Sequence, residues 1–155
     1  MDFATKDLLF AIGHHVLIFA LAGLIAFEVG VARAGLNGND IKRLGAVDRW
    51  YGILAALILI VGFARANYAA KGWDYYSHNH FFWAKIGCFA IVGLLSIQPT
   101  VAFIRWRGAQ KKDEKFLPTL AQITTVRRFL WGEVFFFALI PIFAAAMARG
   151  YGMPS

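Results

Sequence analysis

LLFAIGHHVLIFALAGLIAFEV, residues 8–29, is a run of 22 almost unbroken apolar positions. At a helical rise of about 1.5 Å per residue, such a run crosses the roughly 30 Å hydrocarbon core of a bilayer. Two adjacent histidines, His14 and His15, sit inside it. Ionisable side chains at membrane depth are costly, so they turn toward a bundle interior and mark a site. The rest of the chain supplies three more spans around that pair.

The chain has 155 residues and is 59% hydrophobic. Its mean hydropathy of +0.57 is far above that of a soluble domain. It reads as one membrane domain, 1–155. Residues 1–7 have no basic stretch, and the apolar run after them is too long for a signal peptide. The first span is therefore expected to stay in the mature chain. A single cysteine, Cys88, excludes an internal disulfide and a Cys-x-x-Cys-His haem attachment. It lies in an apolar run and reads as a buried, inert thiol. The net charge of +7 sits in the connections between spans, which points to membrane topology rather than to nucleic acid.

Span two is expected at 50–67, span three at 83–104 and span four at 129–148. Asn39 or Asp40 suits the N-cap of a short amphipathic helix lying on the membrane before span two. Residues 68–82, YAAKGWDYYSHNHFF, form a polar and aromatic connection; Trp73, Tyr75 and Tyr76 suit the membrane–water interface and an outer lid. Residues 105–117 read as a basic loop, and 118–128 as an amphipathic lead-in to span four. The expected fold is thus all-α, an integral membrane four-helix bundle.

With four spans the first and third connections share a side. That side carries 11 of the 16 lysines and arginines, and the other carries 5. The richer side is expected in the cytoplasm. Both termini then lie outside, in the periplasm if this is the inner (plasma) membrane of a bacterium.

Topology converts position into depth. His14 and His15 lie about 10 Å below the outer end of span one. Arg65 is near the outer end of span two, and Lys85 near the outer start of span three. The outer third of the bundle therefore gathers His14, His15, Arg65 and Lys85 under the aromatic lid. Helical phase places His15 with Ala11, Ala22 and Ala26, a small-residue face that favours it as the inward histidine. His14 is rotated about 100° from it and shares a side with Leu17, Leu21, Ile25 and Glu28. On span three, Lys85, Cys88, Val92, Ser96 and Pro99 form one stripe. Glu28, Asp48 and Arg49 read as an ionic cluster at the inner face, and Glu133 as a partner for Arg127 or Arg128. His78 and His80 read as solvated loop residues.

Neutral imidazole in a membrane bundle is a common axial ligand of haem b, held between facing helices. Arginine and lysine near the interface would neutralise its propionates. The residues therefore suggest haem b at His14, His15, Lys85 and Arg65, with iron ligation by His15, His14 or Lys85. The rival readings are a small-ion or proton transporter using the same cluster, and a cofactor-free accessory subunit of a membrane complex.

FFWAKIGCFAIVGLLSIQPTVAFIRWR, together with the paired histidines of span one, resembles the membrane family called domain-of-unknown-function 2214 over the full chain. That family is similar, more distantly, to HemJ-type protoporphyrinogen oxidases and to CopD proteins. HemJ proteins bind haem b through a span-one histidine and a lysine that follows a tryptophan at the start of span three. Trp83-Ala84-Lys85 and His14 or His15 match that pattern in place. Span one lacks the Trp and Pro-Arg that follow the HemJ histidine and has Glu28 instead. The resemblance implies a haem b-binding membrane oxidoreductase; a quinone or a porphyrin-like substrate is the expected reaction partner, with a homo-oligomer or a larger membrane complex left open. The CopD likeness would imply copper, but the three methionines, Met1, Met147 and Met153, are not clustered as a soft copper path requires.

Overall fold

Three N-caps set where the chain turns helical. Asn37 Oδ1 accepts from the Asn39 and Asp40 amides at 2.9 and 3.1 Å, while Asp40 Oδ2 accepts from the Asn37 amide at 2.9 Å. Thr119 and Gln122 make the same reciprocal arrangement further on. Asn79 caps a third helix. Each satisfies amides that a helix start leaves without partners. In the computed structural model, which describes residues 3–68 and 72–152, the helices are α1 (Phe3–Val31), α2 (Gly38–Tyr68), α3 (Gly72–Ser77), α4 (His80–Lys112) and α5 (Leu120–Ala148). Met1, Lys71 and Met153 lie outside the described residues.

No strand occurs among the described residues, and α1, α2, α4 and α5 are each long and apolar enough to cross a membrane. The molecule is an all-α, multi-pass membrane protein. Its helices form two antiparallel hairpins, α1 with α2 and α4 with α5. The hairpins meet through α2 against α4 and, more lightly, α1 against α5. Helices α1 and α4 therefore face each other across the diagonal without backbone contact.

Two expectations about the connections are corrected. No separate surface helix precedes span two; α2 runs unbroken from Gly38, capped by Asn37 rather than by Asn39 or Asp40. The basic segment after residue 104 is not a loop, because α4 continues to Lys112, and the lead-in to span four is the start of α5 itself. The cause is packing. Ile41 and Leu44, Phe103 and Trp106, and Ile123, Val126 and Leu130 recur at helical spacing and close a buried core with Ala32 and Leu36. With 33 residues, α4 is about 50 Å long against a hydrocarbon core of about 30 Å. The bundle thus extends beyond the bilayer at the end rich in lysine and arginine, called here the basic end. A second core around Leu21, Ile25, Tyr51, Ile58 and Val92 fills the middle. A third, with Ala66, Phe82 and Met147, fills the end that carries the termini.

Candidate functional site

On α1 the residues at zero or near-zero exposure are Leu21, Ile25 and Glu28. His14 lies within about 40° of each of them in helical phase. It is half-buried, and its Nδ1 is enclosed without a hydrogen-bond partner. Its ring packs on α2 at Gly62, where an added Cβ would stand 3.1 Å from His14 Cε1. Any side chain there would push the imidazole away. His15 is exposed, and its Nδ1–H donates to the Ala11 carbonyl at 2.6 Å. This reverses the preference that the small residues beside His15 suggest: His14 is the inward histidine. The alanine face of α1 looks outward, and the buried stripe is the one that ends in Glu28.

Lys85, Arg65 and His15 all lie within electrostatic reach of His14, and the His15 ring meets it edge-on at 6.3 Å between centroids. Lys85 is half-buried on the stripe that also buries Cys88, Val92 and Pro99, as the spacing predicts. Its Nζ stands 5.0 Å from the centre of the Phe82 ring. Phe82 is itself buried beneath α3, with Trp73 at 6.0 Å and Tyr76 at 5.7 Å between ring centroids. The Tyr75 hydroxyl donates to the Met147 carbonyl at 3.2 Å, and Trp73 also meets Phe63 at 6.5 Å. Helix α3 lays Trp73, Tyr75 and Tyr76 as a lid over the end of the bundle that holds His14, Lys85 and Arg65. His78 is exposed, as expected, and pairs with Asp74 at 3.5 Å.

A second polar cluster lies toward the basic end. Glu28 and Glu133 are 2% and 0% exposed. Both Glu133 carboxyl oxygens and Glu28 Oε1 lack a well-aligned hydrogen-bond partner. Asp48, also buried, accepts from the Thr100 hydroxyl at 2.7 Å. Buried Tyr51 stands in reach of Glu133 and Ser96. The ionic pairs expected here are absent. Arg49 is exposed, and the only ion pair found among the described residues is His78–Asp74. Arg127 turns from Glu133 and donates through Nη1 to the Val29 and Ala32 carbonyls at 3.0 and 2.8 Å. Six residues of helix rotate those two side chains about 120° apart, which rules out their pairing on one face.

Beside this cluster a groove of about 930 Å³ runs between α2 and α4. Gly52, Ala55, Ala56 and Gly93 leave it room, Asp48, Tyr51, Ser96 and Thr100 line its middle, and Arg49, Arg107 and Lys111 stand at the basic end. The description "predicted membrane protein", DUF2214, matches residues 6–152. The chain belongs to that family. No curated protein and no solved structure matches it. Membership establishes a membrane protein over nearly the whole length; the chemistry must be argued from the side chains.

Of the residues singled out in sequence, the structure places His14, Lys85 and Arg65 within electrostatic reach of one another and leaves His15 exposed beside His14. Sequence reasoning passed over Tyr51, Ser96 and Thr100 as a set, and gave Glu28, Asp48 and Glu133 structural roles. The available signal was phase. Glu28 falls on the face of His14, so two ionisable residues in one span share one direction, and that direction is inward.

Proposed function

We propose that the protein binds haem b between the diagonal helices α1 and α4 and acts as a membrane redox protein, with a quinone or a porphyrin-like molecule as its reaction partner. The observation that carries this reading is the inward turn of His14, whose Nδ1 edge is enclosed against Gly62 with Lys85 and Arg65 in electrostatic reach. With Nδ1 closed off by α2, Nε2 is the nitrogen that would meet an iron. The surroundings fit. Gly62 leaves the ring its place, and Lys85 faces it from the opposite diagonal helix. The HemJ-like pairing of a span-one histidine with Trp83-Ala84-Lys85 supports the same assignment.

When bound, haem would supply one-electron redox chemistry. His14 would hold the iron. Arg65 and Lys85 would meet the negative propionates. The Nζ of Lys85 over the face of Phe82 is a cation–π arrangement, which suits a charged anchor rather than a neutral ligand. The aromatic lid would keep water from the site. The excess of basic residues at one end supports a cytoplasmic position for it and a periplasmic one for the termini. Purification from cells well supplied with haem tests the reading. A Soret band and sharp reduced α and β bands are expected. A colourless protein that takes up no added haemin would instead favour a transporter or an accessory subunit.

A further inference from the structure

The acid cluster takes no part in haem binding. Glu28 reaches it from α1, Asp48 and Tyr51 from α2, and Glu133 from α5. Helix α4 contributes the hydroxyls of Ser96 and Thr100, and no titratable side chain at that level. An ionised carboxylate removed from water is very unfavourable unless something offsets its charge. There are three ways to do so: a cationic side chain, a metal ion or a proton.

The first two find no support in the geometry. No ion pair among the described residues reaches any of the three acids, and Arg127 is engaged by the Val29 and Ala32 carbonyls. No three His, Cys, Asp or Glu side chains among the described residues are grouped closely enough to hold a metal ion. The proton remains. Acid chains in membrane interiors commonly serve as proton relays.

We propose that Glu28, Asp48 and Glu133 form a proton-loading site that exchanges with water at the basic end through the α2–α4 groove. Asp48 links the two parts. It lines the groove, is oriented by Thr100, and lies within electrostatic reach of both glutamates. Tyr51 also lines the groove and approaches Glu133, so its hydroxyl bridges groove and interior. Arg49, Arg107 and Lys111 are the charged groups that face the groove. One proton moves in each step. The exchange is reversible: Asp48 releases its proton to water in the groove, the ionised Asp48 takes the proton of a neutral glutamate, and the reverse steps reload the glutamate from that water. No electron is transferred, and His14, Arg65 and Lys85 are not used.

Infrared spectroscopy of the full chain in lipid nanodiscs tests this whether or not haem is bound. At neutral pH the wild type should show a protonated-carboxyl C=O band that shifts down in D2O. Glu133→Gln and Glu28→Gln should each remove a component of that band. Asp48→Asn should leave those components and slow their D2O shift. Gly93→Leu puts a side chain into open groove space and should also slow the shift, which keeps the test open if a glutamate variant does not fold. The proposal is overturned if the wild type lacks the band, or if both glutamine variants retain it in full. It is equally overturned if sodium or calcium chloride alone abolishes the band at constant pH, since the acids would then be a cation site.

Discussion

His14 and His15 are neighbours in sequence whose side chains take different directions. About 100° of rotation gives His14 the face of Leu21, Ile25 and Glu28 and leaves His15 to bond its own helix at Ala11. Lys85 invites a test at the same scale. Arginine keeps a positive charge and cannot ligate iron, whereas methionine loses the charge. If Lys85 anchors a propionate, Lys85→Arg should leave the absorption spectrum unchanged and Lys85→Met should lower haem occupancy. A changed ferric spin state in Lys85→Arg would mean that Lys85 is a ligand. That His14, His15, Arg65 and Lys85 stand out from the apolar spans was legible because ionisable groups are rare there. Their directions were less so, because small residues can mark close helix packing or merely an open face. The face of α1 was decided by Glu28, whose partners come from α2 and α5 and are distant in sequence.

Helix ends carry the next level of the account. Asn79 is fully buried. Its Oδ1 accepts from the Phe81 and Phe82 amides at 2.9 and 3.4 Å, and its Nδ2 donates to the Tyr151 carbonyl at 3.0 Å. The His80 amide donates to the Gly152 carbonyl at 2.9 Å, so the C-terminal turn is fastened to the start of α4 beside the lid. Asn79→Ala should cost about 1–2 kcal/mol through the lost cap and the abandoned carbonyl. Thermal unfolding in detergent should show a lowered Tm, with Asn79→Ser in between because its hydroxyl keeps an acceptor for the cap without adding a charge. Equal Tm values for all three proteins would contradict that role. The four spans were legible as apolar runs, but their extensions were not. Residues 38–49, 105–112 and 120–128 look like surface or loop segments alone, and become helix because Ile41, Leu44, Trp106, Ile123 and Val126 bury one another. That core exists only between elements far apart in sequence.

At the scale of the whole molecule, charge and depth divide the bundle into two ends with different chemistry. One end has the lid, His14, Lys85 and Arg65; the other has the buried acids and the groove that opens between arginines and lysine. The uneven distribution of basic residues predicts both termini outside. A C-terminal reporter that is active only in the cytoplasm should be silent, and strong activity would invert the assignment of the two ends. The convergence of the first cluster was legible once antiparallel spans turned position into depth. The second was not, because a sequence shows acids near basic residues without showing that Arg127 is spent on backbone carbonyls. The central claim is that His14 holds haem b, and the most direct measurement is haem content per chain in the paired variants His14→Ala and His15→Ala. His14→Ala should lose its haem while His15→Ala keeps wild-type content and spectrum. Full haem content in His14→Ala, or loss confined to His15→Ala, would contradict it.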